Sequence, residues 1–370
     1  MSRLRRRLVD APIWRGHRGK IATLLPAAPG FALPLALGLM ACDGSSSSRL
    51  LIYSPHGRDL LAFFEASFEQ EHPGIKVEYV DMGSQEVLDR VRSEKANPQG
   101  DVWWGAPAEM FGQAADEGLL EPFAASWADA VPPEARDPGN LWLGTFLTPE
   151  VIAYNEEAIP ADQVPHRWDE VLDPRWRGQV LIRDPLASGT MRAIFAAIMV
   201  REYERTGSFE AGYDWLLRLD AQTKDYVLNP TLLYQKLARQ EGLLTLWDMP
   251  DIETLRSSTD LPIAYVIPTD GTPVVVDGIA VIRGTSVPEL ARTFVEFAGS
   301  RPALEEAARR FFRIPARTDI PPDSLPEWLR EALPRIHPMN IDRAFVRANA
   351  PAWLRHWDRE IRGRGRKRRR

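Results

Sequence analysis

Leu50-Leu51-Ile52-Tyr53-Ser54-Pro55-His56-Gly57 is the stretch on which the fold turns. Four consecutive apolar residues make a short buried strand, and Ser54-Pro55-His56-Gly57 ends it at once. Residues 59–71 then carry apolar side chains at helical spacing (Leu60, Leu61, Phe63, Phe64, Phe68) and stop at His72-Pro73-Gly74. Residues 75–80 alternate as a second strand, and Ser84 caps a helix that runs through Arg92. Residues 101–104 form a third strand, and a helix over 108–117 ends at Gly118. Strand, helix, strand in that order, with short loops, implies parallel pairing in an open α/β sheet. Ligands bind such sheets at the carboxyl ends of the strands. Here those ends are residues 54–57, 81–85 and 105–107.

The same grammar restarts after residue 150. Residues 151–154 are extended, and 179–182 form a strand that leads into Arg183-Asp184-Pro185. Helices are expected over 190–206 and 209–219, strands over 243–246 and 263–267, and a strand over 278–282 that re-enters the first lobe. Helices over 287–298, 301–312, 325–332 and 341–361 complete the body. The architecture repeats, but no sequence repeat accompanies it.

Charge is unevenly spread along the 370 residues. Without residues 1–41, which hold seven basic and one acidic side chain, the formal net charge falls from −5 to −11. Without the seven basic residues of 362–370 it falls to −18. A body this acidic repels nucleic acid, so no nucleic-acid partner is expected. The tail from Arg362 to Arg370 reads as a solvated, disordered end or as a segment drawn to anionic lipid headgroups. The length suits two compact lobes, each with its own core.

Several motifs in one order carry a family resemblance. Residues 50–123, with Gly83-Ser84-Gln85 and Gly100-Asp101-Val102-Trp103, resemble the first lobe of type II periplasmic solute-binding proteins. Trp168-Asp169-Glu170-Val171-Leu172-Asp173-Pro174-Arg175-Trp176-Arg177-Gly178 resembles a connector of their iron(III)-type branch, as do Ala187-Ser188-Gly189-Thr190 and residues 271–280. The resemblance implies an α/β, two-lobed fold of the periplasmic-binding-protein type II kind. Each lobe is then an open, mostly parallel sheet flanked by helices, and two hinge crossings near 148–151 and 272–278 join them. The expected division places lobe 1 at 50–148 plus 276–361, lobe 2 at 149–275 and the tail at 362–370. It also implies the receptor subunit of an ABC importer, a monomer working with permease and ATPase subunits, without a cofactor. A solute-binding sensor subunit is the alternative within the same family.

Leu39-Met40-Ala41-Cys42 follows a basic segment and an apolar run, and it resembles a bacterial lipobox. Cys42 is the only cysteine, so it has no partner in this chain for a disulfide. The resemblance implies a signal peptide over 1–41, lipidation at Cys42, a flexible linker over 42–49 and an exported protein tethered to the membrane. The rival reading is a membrane span, but Pro26, Pro29 and Pro34 interrupt the run.

Candidate ligand contacts lie at the strand ends. Ser188, Gly189 and Thr190 open a helix whose N–H groups and dipole suit an anion, and Ser84 and Gln85 offer a second such end. Ser and Thr also favour these places as ordinary N-caps, so both readings stand. Arg183 or Arg192 adds charge-assisted bonds. Ser54, His56 and Gly57 follow the first strand; Trp103, Trp104 and Trp247 are stacking platforms or core residues. Asp248 and Asp277 accept protons from hydroxyls or amines, and Asp277 doubles as a hinge residue. In ferric relatives a histidine stands near His56 and a tyrosine pair follows a second-lobe strand. This chain has Trp247-Asp248 there and no Tyr-Tyr pair, so His56 and Asp248 serve as metal ligands only in the ferric alternative. The favoured solute is therefore a small anion, a phosphorylated or phosphonate-like organic compound. No Gly-x-Ser-x-Gly, Walker or His-Glu-x-x-His motif is present, and an enzyme is not expected.

Overall fold

The computed structural model describes residues 48–365. The expected signal peptide, Cys42 and most of the linker lie outside the described residues. The chain runs β1 (Ser48–Ser54), α1 (Arg58–Glu71), β2 (Ile75–Asp81), α2 (Ser84–Ser93), β3 (Val102–Pro107), α3 (Ala108–Asp116), β4 (Leu120–Glu121) and β5 (Leu143–Asn155). It continues through β6 (Val180–Arg183), α4 (Gly189–Thr206), α5 (Phe209–Gln222), β7 (Thr223–Val227), α6 (Pro230–Ala238), β8 (Leu244–Asp248), α7 (Met249–Ser258) and β9 (Ile263–Val266). The return leg is β10 (Val274–Ile282), α8 (Pro288–Ala298), α9 (Arg301–Phe311), β11 (Ile314–Pro315), α10 (Glu327–Ala332) and α11 (Arg343–His356). β1 begins at Ser48, so the last two residues of the expected linker already pair, Ser48 opposite Ile75.

One continuous sheet runs β2-β1-β3-β10-β5-β8-β6-β7. At each end three strands are parallel, β2-β1-β3 and β8-β6-β7. The two long strands between them are antiparallel to their neighbours; β10 pairs within the first half, and β5 serves both. β5 pairs with β10 as far as Pro149 and with β8 from Glu150 onward, so it changes lobe between those two residues. This two-lobed α/β architecture with two crossing strands is the one expected.

Each half has its own core. The first gathers α1, α2 and α8 on the sheet through Leu60, Leu61, Phe64, Phe68, Val87 and Phe294. The apolar face of α1 alone buries four large side chains, each stabilising by roughly 1.5–3 kcal/mol. The second core packs Trp168, Ile194, Ile198, Trp215 and Leu219 around β6 and β8.

Three expectations change here. Residues 276–361 are expected in lobe 1, yet Val346, Trp353, Trp357 and Ile361 bury in the second core. α11 meanwhile pairs with α3 of the first half, through Arg343 with Glu109 at 3.4 Å and Arg347 with Asp116 at 3.5 Å, so it touches both lobes. The helix expected over 341–361 is α11 followed by a π-helical turn at Trp357–Ile361. Residues 362–365, expected to be disordered, are docked by hydrogen bonds of Gly363 and Gly365 to Asp220.

Candidate functional site

Parallel strands deliver their carboxyl ends to one cleft of about 690 Å³ between the two halves of the sheet. From the first half come His56 after β1, Asp81–Gln85 after β2, and Ala106 with Pro107 at the end of β3. The second half contributes Arg183 and Ser188–Thr190 after β6, Leu228–Thr231 after β7, and Trp247 with Asp248 at the end of β8. Thr148, Asp277 and Arg313 line the floor where the lobes cross.

Four helix N-termini face this space: α2, α4, α6 and α7. α4 is capped by Ser188, whose Oγ accepts the Met191 N–H at 3.2 Å. α7 is capped by Asp248, whose Oδ1 accepts from Asp251 N–H at 2.9 Å, and α6 by Asn229 from Leu232 N–H at 2.8 Å. α2 differs: Gly83 is its N-cap, no side chain caps it, and Ser84 is its first helical residue rather than the expected cap. The α2 and α4 ends meet across the cleft. A Cβ on Gly189 would stand 2.7 Å from Pro107 Cδ and 2.8 Å from Ser84 Oγ, so only glycine permits this closed approach. Arg192 Nη1 donates to Gln85 Oε1 at 2.6 Å, bonding one lobe to the other. Arg192 also donates from Nε to the Pro185 carbonyl at 3.5 Å and from Nη2 to the Leu186 carbonyl at 3.1 Å, and it does not itself line the cleft.

The floor is a buried polar cluster. Thr148 Oγ1 donates to Asp277 Oδ2 at 2.5 Å. Arg313 Nη2 reaches Asp251 Oδ1 at 3.1 Å, and its buried Nε has no partner among the described residues. Burial pushes the Asp277 carboxyl up to about 6, against the opposing pull of Thr148 and Arg313. Burial also drives Asp248 well above the usual carboxylate range, with Asp251 beside it reinforcing the shift. Glu150, fully buried on β5, is raised well above its ordinary value by burial and then by Asp248 and Asp277, and neither of its oxygens has a hydrogen-bond partner among the described residues. His56 is held well below the ordinary imidazole value by burial and by nearby Arg313, so it is neutral at pH 7. Its Nε2 is buried without a partner among the described residues, and its ring lies edge-on to Trp104 at 5.1 Å and Phe146 at 5.5 Å. A carboxyl of this kind donates when protonated and accepts when ionised, so the floor can meet either a solute oxygen or a solute N–H.

The expected residues therefore divide. His56, Ser84, Gln85, Ser188, Gly189, Thr190, Trp247, Asp248, Asp277 and Arg183 line the cleft. Ser54 is fully buried, and its Oγ accepts the His56 N–H at 3.2 Å, shaping the turn from behind. Gly57 is the N-cap of α1 and does not line the cleft. Trp103 is a correction: it is fully buried and stacked on Phe111 at 4.3 Å, as core. Trp104 is core as well, donating to Thr145 Oγ1 at 3.0 Å. Both faces of β3 are buried, so its sequence has no alternation to say which side chain turns outward.

Sequence reasoning missed Thr148, Asn229 and Arg313. Asn229-Pro230 is a legible helix start, an Asn cap before proline at the first helical position. Arg313 left no signal: it follows Phe312, a non-glycine residue in the left-handed region at φ 53°, a turn that composition does not announce.

Residues 106–347 match the family of bacterial extracellular solute-binding proteins. A Sinorhizobium fredii protein named "Probable ABC transporter periplasmic-binding protein" is 27% identical over 88% of this chain and 90% of its own length. Iron uptake protein A1 of Synechocystis is 25% identical over 67% of this chain and 70% of its own. A Salmonella typhimurium periplasmic protein named for 2-aminoethylphosphonate binding is 26% identical over 67% of this chain and 72% of its own. Among solved structures, the periplasmic binding protein AfuA from Actinobacillus pleuropneumoniae, with fructose-6-phosphate bound, superposes with a TM-score of 0.74 at 24% identity. That superposition covers 85% of this chain and 99% of AfuA, a likeness of fold.

Proposed function

The chain belongs to the bacterial extracellular solute-binding protein family, and we propose that it is the receptor subunit of an ABC importer for a small organic phosphate or phosphonate. The observation that carries this is the convergence of the α2 and α4 N-termini on one point of the cleft, with Gly189 permitting the contact. N–H groups of first helical turns, with the dipoles behind them, favour an anion in that place. Arg183 and Arg313 add buried guanidinium groups, each with an Nε that has no partner among the described residues. Asp248 and Asp277 on the floor suit the hydroxyl or amine protons at the other end of such a solute, and Trp247 offers an apolar wall. Closure is a two-state shift that the solute drives only by contacting the closed form better. Delivery to permease and ATPase subunits follows from the family, and catalysis plays no part in this reading.

The ferric alternative would rest on His56 and Asp248. Among the described residues no group of three or more His, Cys, Asp or Glu is arranged to hold a metal ion. The test is a thermal-shift series on the exported body with fructose 6-phosphate, 2-aminoethylphosphonate and ferric citrate. A ligand at a hundred times its dissociation constant stabilises the folded state by about 2.7 kcal/mol. A rise with either organophosphorus compound and none with iron is expected; a rise with iron alone overturns the reading.

Export and anchoring at Cys42 belong to the same proposal. Among the described residues no helix is long and apolar enough to cross a membrane. Cys42→Ser in the native host is expected to move the protein from the membrane to the soluble fraction. Retention in the membrane fraction would defeat the lipid anchor.

A further inference from the structure

The basic end of the chain, which the solute reading leaves unused, is tied to the loop that presents the α4 terminus. Arg362 Nη2 lies 2.5 Å from Asp184 Oδ2, and its guanidinium sits over the rings of Trp357 and Tyr226 at 5.3 and 5.4 Å. One and three residues on, the N–H groups of Gly363 and Gly365 donate to the fully buried carboxylate of Asp220, at 2.8 and 2.7 Å. Gly365 approaches so closely that a Cβ there would stand 2.5 Å from the Leu217 carbonyl oxygen and 2.6 Å from the Ala221 nitrogen. Arg362-Gly363-Arg364-Gly365 is thus a docked clip, with Gly365 where the backbone must touch and Gly363 at a left-handed turn of φ 70°.

Asp184 is the hub of the turn between β6 and α4. Its Oδ1 accepts the Leu186 N–H at 2.9 Å. Its carbonyl accepts from Ala187 at 3.0 Å and Ser188 at 2.9 Å, and its own N–H is held by the Val227 carbonyl at 3.0 Å. The Asp184 side chain is 7% exposed, and a carboxylate so buried calls for a close hydrogen-bonding partner. Arg362 is that partner. The direction of the Asp184 carboxylate sets the turn, and the turn sets where Ser188 and the first N–H groups of α4 point.

We propose that Arg362 is a positioning residue for the solute site: through Asp184 it holds the 184–188 turn in the geometry that presents Ser188–Thr190 to the cleft. This rests on the reading of that helix end as a solute contact. The sequence reads the tail by charge and expects solvation or lipid; the docked residues give its first arginine a structural address instead.

The test uses the exported full-length body, with fructose 6-phosphate and 2-aminoethylphosphonate as calorimetric probes and amide hydrogen exchange followed in parallel. Arg362→Gln is expected to speed exchange across residues 184–190 and to weaken whichever probe the wild type binds by about tenfold, the scale of one charge-assisted bond. Arg362→Lys is expected to recover part of both effects, and it carries the same readouts should Arg362→Gln not fold. Arg364→Gln, which removes only an exposed pair with Glu360, is the control and should change neither. A merely local role at the C-terminus would speed exchange at residues 357–365 without reaching 184–190. That result, or wild-type affinity in Arg362→Gln, overturns the proposal. If neither probe binds the wild type, the solute reading itself falls, while exchange at Ala187 and Ser188 still decides whether Arg362 holds the turn.

Discussion

The α2 and α4 N-termini look alike in sequence, Gly83-Ser84-Gln85 against Ser188-Gly189-Thr190, yet they are built in opposite ways. In α4 the serine precedes the helix and its hydroxyl is spent on the Met191 N–H. In α2 the glycine precedes the helix, no side chain caps it, and the serine hydroxyl is left to face the other lobe. One end is braced from within and the other is held from across the cleft, by Arg192 on Gln85. A helix start that is stable by itself can serve as a fixed platform. One without a side-chain cap gains most from closure, which is the asymmetry a two-state receptor needs.

The largest expected effect comes from the floor beneath both ends and leaves the ends intact. Asp277, raised to about 6, and Glu150 and Asp248, raised well above their usual values, bind protons more tightly folded than unfolded. Their contribution is complete below the unfolded carboxylate values near 4 and is lost as pH rises through the folded ones. For a shift the size of that at Asp277 the loss is on the order of 3 kcal/mol. The melting temperature of the ligand-free protein should therefore fall from pH 5 to pH 8, and Glu150→Gln should flatten that fall. A melting temperature that climbs over the same range would refute a shared protonated floor.

Gly189→Val breaks the contact between the two ends directly. Overpacking typically costs about 1–3 kcal/mol, so solute affinity should drop roughly tenfold to a hundredfold. The φ of Gly189 is not positive, so the open form should fold normally and far-ultraviolet dichroism should be unchanged. Retained affinity in a folded Gly189→Val protein would mean that the ends do not meet in the bound state.

The serine pair then separates the two designs. Ser188→Ala should lower stability by about 1 kcal/mol, the usual value of an N-cap, in a denaturant titration. Ser84→Ala should leave stability within about 0.5 kcal/mol and act on binding alone. Equal losses of stability in both variants would show that the two ends are braced alike. Smallest of all, Arg192→Gln should remove one cross-lobe bond and leave a slightly larger open fraction, measurable as an increased radius of gyration by solution scattering. An unchanged radius would make the Gln85 contact incidental.

Much of this was legible in the chain. The alternation of 2- and 3.6-residue periods located β1, α1, β2 and most later elements to within a residue or two, because strand and helix periods are written locally. The strand-end rule then pointed to His56, Ser84, Gln85, Ser188–Thr190 and Asp248, all of which line the cleft. β7, α6, α7 and the first half of β5 were missed; Thr223–Val227, for one, mixes charged with apolar residues and is half-buried at the sheet's edge.

What the sequence determined by itself is thus most of the elements, the parallel pairing of the outer strands and the small residues at their ends. Backbone propensity, capping chemistry and the handedness of crossovers leave those few alternatives. What only the tertiary structure decided is which side chains from distant positions share a space. Trp103 turned inward while Trp247 lines the cleft, Arg313 arrived on the floor, and α11 buried Trp353 in the second lobe's core. Arg362 found Asp184 178 residues away. Those outcomes depend on register and on the packing of surfaces with no local preference between them, and local patterns carry no record of either.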